Sequence, residues 1–460
     1  MLLNMQRAVA APTRNPRLAV VIGRLLASAF LICFATGLYS HFLQEPLPWM
    51  HFATSPAQLY QFSQGLHITA GIACFPLILA KLYTVFPKLF ETPAITGLGS
   101  VLERASIALF VGASLVEITI GLLNTYQFYP WPFGFREVHF ALSFVIIGSL
   151  AIHIGVKLPI IAQYWRKRDG YAPELAFTED ERDTMDAPLI DALPSRLAAV
   201  PGARAVSGVT GRIFAWIDGP APEPALPADQ TRPAPEHGGS GEDPDLAFSS
   251  DAPPSHQPHP VGRRAFLATI GTGVAAVVVL TAGQSFAWLS PLNAFAPRVK
   301  GIGPQAVPVN RTAAAAQVTS TAMNQDWALT ISNASQSLRF TRAELLALPQ
   351  TTVDLPISCV EGWSQMATWR GVRLSELVAK VVGNDAAAGS QALRITSLEK
   401  EGGYRVTQMG SEYVGDPSTL VALELNGETL DIDHGFPARM IAPGRPGVLQ
   451  TKWLSTLEVL

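Results

Sequence analysis

Three histidines sit inside long apolar runs, where an imidazole has no water around it and is usually kept for a function. His67 lies near the start of the second run, and His139 and His153 lie in the fourth. His67 and His139 fall within about two turns of the same end of their runs, so they sit at similar depth. Two imidazoles facing each other across a helical bundle are what a low-spin b-type haem requires as axial ligands. One haem iron between His67 and His139 is therefore the expectation, with helix-to-helix hydrogen bonding as the alternative. His153 follows His139 by about four turns, or ~21 Å along the same face, a spacing that would suit a second haem iron. Lys81 rather than histidine stands at the matching place after His67, so a second haem would need another partner or one-sided ligation. Arg136 is placed to pair with a haem propionate. Glu117, midway along the third run, could relay protons or touch a quinone, or be a protonated carboxyl bonded to another helix.

The chain has three cysteines, too few and too scattered for a disulfide framework or a thiolate-held cluster. Cys33 and Cys74 fall in apolar runs, where a small hydrophobic role is the default. Cys359 is the one thiol of the polar C-terminal part. It stands in "DLPISCVEGWSQMATWRGVRLSELV", at a strand end and two residues before Glu361. A second stretch, "LELNGETLDIDHGFPARMIAPGRPGVLQTKWLSTLEV", holds His434, Arg439, Arg445 and Lys452 among Gly and Pro turns. Trp363 and Trp369 are expected to pack.

Five apolar runs must position these groups: about 18–40, 61–86, 104–125, 136–160 and 265–287. Each is long enough to cross ~30 Å of hydrocarbon at ~1.5 Å per residue. A mean hydropathy of +0.24 and a charged fraction of 15% agree with a membrane protein. Arg7, Arg14 and Arg17 precede the first run, Lys88 and Arg104 separate the second from the third, and Arg166, Lys167 and Arg168 follow the fourth. The connection from His41 to Gln61 has no Lys or Arg. The N-terminus and the connection after the fourth run are accordingly expected to be cytoplasmic. The expected organisation is a tail over 1–17, a four-helix bundle over 18–162, a disordered Pro- and Ala-rich linker over 163–262, a fifth span over 263–290 and an outer domain over 291–460. Arg263 and Arg264, followed by Phe266 and Leu267, resemble a twin-arginine export signal, although two arginines also commonly flank a span. The outer domain reads as mixed α+β. Strand-like segments such as "WALTIS", "ALRITSLE" and "YRVTQM" alternate with helices at "TRAELLAL" and "RLSELVAKV". The fold class is thus multidomain: an all-α transmembrane bundle, one further transmembrane helix, and an α+β domain.

The two C-terminal motifs together resemble the sulfite oxidase superfamily of molybdopterin enzymes, over most of 305–460. The "CVEGW" context is closest to the periplasmic methionine sulfoxide reductase branch. The first four runs resemble bacterial membrane b-type cytochromes that exchange electrons with quinones. The first resemblance implies molybdenum bound by the cofactor's dithiolene and the Cys359 thiolate, with Glu361 near the reacting centre. It also implies a cradle for the pterin and its phosphate from Asn310, Arg311, His434, Arg439, Arg445 and Lys452. Sulfite oxidases proper place arginines close after the cysteine and add a β-sandwich dimerisation domain. No such arginine pair closely follows Cys359, and with the sequence ending at Leu460 the extra domain is not expected.

The expected activity is oxygen-atom transfer. Quinol electrons cross a b-type haem to an extracytoplasmic molybdenum centre and reduce an S-oxide, either a small molecule or methionine sulfoxide in a protein. Oxidation of a sulfite-type anion with electrons delivered to the membrane is an alternative, as is a non-catalytic membrane sensor. Lipid and quinone are the expected partners. A net charge of −3 without a basic face argues against nucleic acid.

Overall fold

The computed structural model describes residues 16–85, 97–165, 263–296 and 298–460. The tail before Pro16, Lys88, the basic residues 166–168 and the linker from 166 to 262 lie outside them. Contacts divide the chain into two units, and the second comprises Gly23–Ala80, Ile95–Val156 and Ile270–Leu460.

The apolar runs form five helices: α1 (Pro16–Gln44), α2 (Leu59–Val85), α3 (Leu98–Thr125), α4 (Phe135–Trp165) and α5 (Arg263–Ala282). All five are long and apolar enough to cross a membrane. Leu25, Leu31, Phe62, Leu109 and Phe144 are turned outward on them, a surface for lipid contact. The chain is thus a multi-pass membrane protein by its helices. Lys81, where a histidine would be needed for a second ligand pair, donates to the Ala19 carbonyl at 2.7 Å.

The fifth helix is shorter than its apolar run. It ends at Ala282 because the chain turns sharply at Gly283, where a Cβ would lie 2.5 Å from the Leu289 carbonyl oxygen. The next residues are used elsewhere. The Ser364 N–H donates to the Gln284 carbonyl at 2.8 Å, and the Ser285 hydroxyl donates to the Gly362 carbonyl.

The C-terminal domain is built on two five-stranded sheets. The first runs β2 (Ser337–Thr341), β1 (Ala328–Ser332), β10 (Leu454–Val459), β5 (Leu393–Ser397) and β6 (Val406–Met409), with β1 and β10 parallel. The second runs β3 (Thr351–Ser358), β4 (Ser364–Arg373), β7 (Leu420–Leu425) and β8 (Glu428–Thr429), with β9 (Arg439–Ile441) also on β7. Helix α6 (Arg342–Ala347) starts on a Thr341–Glu344 capping box, and α7 (Leu374–Val382) buries Leu374, Leu377, Val378 and Val381. One core packs α7 with residues of both sheets. A second gathers Leu355, Ile357, Cys359, Trp363 and Trp369 around the β3–β4 hairpin.

Candidate active site

Cys359 is the first residue after β3, and the hairpin register fixes where its side chain goes. Ser358 pairs with Ser364, and the five residues between them form the turn. The Cys359 N–H donates to the Trp363 carbonyl at 2.9 Å, and the Gly362 N–H donates to the Cys359 carbonyl at 3.0 Å. Gly362 has φ +99°, a backbone that a side chain would strain, and a Cβ there would lie 2.8 Å from Ile68 of α2. The turn therefore rests directly on a membrane helix. The Gln64 amide of the same helix donates to the Val360 carbonyl at 2.9 Å. The Cys359 thiol is 1% exposed, and burial, with the Glu361 carboxylate beside it, holds its pKa well above the usual range.

Glu361 is buried too. Its carboxylate accepts from the Trp363 indole at 3.0 Å and from the Gln127 amide, and it lies 3.5 Å from the Arg298 guanidinium. Burial raises its pKa, while Arg298, Trp363 and Gln127 oppose the rise.

Three cationic groups of the second motif, Arg439, Arg445 and Lys452, are buried at a cost that a bound anion would offset, and His434 is buried with them. Arg439 stacks over Trp369 at 5.3 Å and donates to the His434 carbonyl at 3.1 Å. Burial lowers its pKa to about 9. Arg445 lies 5.4 Å over the Tyr413 ring with its pKa lowered to about 10 by burial. Arg439 Nε and Arg445 Nη1 have no hydrogen-bond partner among the described residues. Lys452 donates to Asn310 Oδ1 at 3.2 Å, the Arg311 carbonyl at 2.5 Å and the Asp433 carbonyl at 3.0 Å. Burial first, and then repulsion from Arg439, brings its pKa down to about 7. His434 turns Nε2 to the Pro304 and Val307 carbonyls at 2.8 and 3.1 Å, which leaves only Nδ1 for a cofactor contact. Burial and Arg439 lower its pKa to about 4, so the ring is neutral at pH 7. Arg311 reaches Glu399 at 3.5 Å and the Glu401 carbonyl at 3.0 Å.

In the bundle, the His67 and His139 rings lie edge to face, with centroids 6.1 Å apart and planes at 67°. His67 Nδ1 lies 3.0 Å from the Cys33 carbonyl, and His139 Nδ1 lies 3.4 Å from Glu117 Oε1. Glycines stand against both rings. A Cβ at Gly37 would be 3.2 Å from His67 and one at Gly121 3.4 Å from His139. His153 is half-buried further along α4, away from this pair. Arg136 pairs with Glu45 at 2.7 Å and donates to the Tyr404 hydroxyl at 3.4 Å, while Tyr404 donates to Gln44 at 2.6 Å. A cavity of about 690 Å³ runs from His67 and His139 to Asn310, Arg311, Glu361 and Lys452.

Residues 315–460 match the family model for the oxidoreductase molybdopterin-binding domain. The C-terminal part of the chain is a molybdopterin-binding oxidoreductase domain of the sulfite oxidase family. The chain is 33% identical to the sulfite oxidase of Arabidopsis thaliana over 105 residues, covering 20% of this chain and 26% of that protein. It is 30% identical to a nitrate reductase [NADH] of Ulva prolifera over 149 residues, covering 26% of this chain and 17% of that one. It is also 30% identical over 120 residues to the "Putative protein-methionine-sulfoxide reductase subunit YedZ1" of Azospira oryzae, covering 26% of this chain and 43% of that protein. The chain spans less than half the length of each of these relatives.

The molybdopterin domain fits its cofactor by the chemistry of its buried donors: a single thiol, and two guanidinium nitrogens, Arg439 Nε and Arg445 Nη1, that lack a hydrogen-bond partner among the described residues. Asn310, Arg311 and Lys452 come together on the cavity with Glu361, whereas Cys359, His434, Arg439 and Arg445 are not among the residues that line it, the two arginines lying over the Trp369 and Tyr413 rings. Three site residues carry no sequence motif. Gln127 is a lone amide in an aromatic loop, Arg298 lies in a short stretch after α5, and Gln64 precedes His67 by about one helical turn. All three were missed by the sequence reading, and only the spacing of Gln64 from His67 is a signal that could have found one of them.

Proposed function

We propose that the chain is a quinol-linked S-oxide reductase. In this reading His67 and His139 hold one b-type haem, and Cys359 holds molybdenum in an extracytoplasmic domain. The basic residues around the first, second and fourth helices keep the N-terminus and the long linker cytoplasmic. The observation that carries the reading is the seating of the Cys359 turn on α2, through Gln64, about one helical turn before His67, and through the Gly362 contact with Ile68, the residue next to His67. Electron transfer needs short separations, and this seating provides one.

The spacing of the histidines supports haem. These two imidazoles, with centroids 6.1 Å apart and ring planes at 67°, would be the residues to hold the haem iron. With Nδ1 of His67 donated to a backbone carbonyl, Nε2 is left as the metal-binding nitrogen, the usual arrangement for a ligating histidine. Molybdopterin, when bound, supplies a metal that accepts an oxygen atom and passes electrons singly. Quinol oxidation yields two electrons and two protons. Reduction of the S-oxide consumes two of each, breaks the S=O bond and releases water.

The charge of the site favours an S-oxide over an anion. Arg298, the cation nearest Glu361, is already neutralised by it. Methionine sulfoxide, free or in a protein, is the substrate class this suits, in keeping with the name of the Azospira relative. Difference spectra and metal analysis of purified protein test the reading. Haem bands reducible by quinol and reoxidised by a sulfoxide, with one molybdenum per chain, are expected. Cys359→Ser should keep the haem bands and lose turnover. Protein without Soret absorbance would refute the haem, and protein without molybdenum from a replete host would favour the sensor alternative.

A further inference from the structure

The loop between α3 and α4 belongs to the membrane bundle, yet one of its side chains lies inside the oxidoreductase site. Gln127 donates through Nε2 to the Glu361 carboxylate and, at 2.7 Å, to the Asn310 carbonyl. Its Oε1 accepts from Arg298 Nη2 at 2.6 Å. One amide thus ties together the carboxylate two residues from Cys359, the Asn310 segment that also receives Lys452, and the arginine that compensates Glu361. The neighbouring Tyr126 hydroxyl donates to the Phe295 carbonyl at 2.5 Å, so the loop is anchored on the same side. Gln127 itself has φ +54°, a left-handed backbone that costs a side-chain-bearing residue energy and persists only where surrounding contacts hold it. An amide is well suited to this place, because it donates to an anion and accepts from a cation while adding no charge.

We infer that Gln127 is a positioning residue for the molybdenum reaction. By it the membrane bundle fixes Glu361 and Arg298, so the bundle completes the substrate site as well as delivering electrons. This rests on the proposed function, and the two can fail separately. The full-length membrane protein would be driven in one assay by quinol and in another by a reduced viologen, a small reductant that can bypass the haem. Gln127→Gly relieves the backbone and removes the amide. Gln127→Asn also tolerates the left-handed backbone but presents an amide one methylene short.

Both variants are expected to keep full haem and molybdenum and an unchanged rate of haem reduction by quinol. With either donor, kcat/KM for a sulfoxide should fall by about tenfold, the loss expected for a hydrogen bond to a charged group. The fall should lie mainly in kcat, and the Mo(V) resonance should shift as Glu361 moves. Fully loaded variants with unchanged kcat/KM and resonance would overturn the inference. So would a loss confined to the quinol-driven assay, which would mark an electron-transfer role, or loss of molybdenum from both variants, which would mark a structural one. Wild-type protein lacking haem or molybdenum would instead refute the function on which the inference rests.

Discussion

Replacing Lys452 with methionine should stabilise the cofactor-free protein while weakening its hold on the cofactor. An unfolded lysine keeps its proton up to about pH 10.5, whereas the buried Lys452 is half-deprotonated at about pH 7. Between those values the unfolded chain binds more protons, so stability rises with pH across the window. At pH 7 the burden of burying this ammonium is about 4 kcal/mol, from ~1.36 kcal/mol per pH unit. Methionine keeps the aliphatic stem and removes the charge, but it leaves the acceptors on Asn310, Arg311 and Asp433 without their donor. Those losses return about 1–3 kcal/mol. A net gain of about 1–3 kcal/mol at pH 7 remains, and, shrinking by ~1.36 kcal/mol per pH unit, it should vanish between about pH 8 and pH 10. The measurement is tryptophan-monitored unfolding of molybdenum-free protein in detergent at pH 7 and pH 9. In protein from molybdenum-replete cells the same variant should retain less metal, because an anionic cofactor would be the partner that makes this buried charge worth having. A variant less stable than wild type at pH 7, or a difference that ignores pH, would refute the electrostatic reasoning.

His139→Ala should abolish the haem bands and the quinol-driven reaction while leaving molybdenum content and viologen-driven turnover near wild type, as read by spectra and by both assays. Glu361→Gln leaves the Arg298 charge uncompensated. Its KM for anionic substrates such as sulfite or nitrate should fall on the order of tenfold, while kcat for a sulfoxide falls in steady-state assays. Gly362→Val forces a branched side chain into a left-handed backbone and against Ile68. Single-turnover reoxidation of the haem by sulfoxide should slow, and unchanged kinetics would show that the seating of the turn on α2 is immaterial.

The legible parts of this chain were those written in local pattern. Five apolar runs gave five helices, because length and hydropathy alone decide which segments can leave water. Segments around Leu329, Ile395 and Leu457 read as strands because their β-branched and apolar residues alternate. Strand β4 was harder to see. "SQMATWRGVR" has few β-formers, and pairing with β3 and β7 makes it a strand. The early end of α5 was equally hidden, since "GQSF" leaves the helix for bonds to a turn nearly eighty residues away.

By itself the sequence determined the chemistry on offer: which histidines lie in apolar helices, which cysteine stands among strands, and which bases cluster near Gly and Pro. Each is fixed by residue type and short-range spacing. Only the tertiary structure decided which of these groups meet. Gln127, Arg298 and Glu361 come from a bundle loop, a connecting strap and a hairpin turn, and no periodicity links them. It also turned His434 Nε2 toward backbone carbonyls, because a buried ring nitrogen takes the nearest acceptors. Contacts between distant segments depend on how whole surfaces pack, and that information is spread over the entire fold.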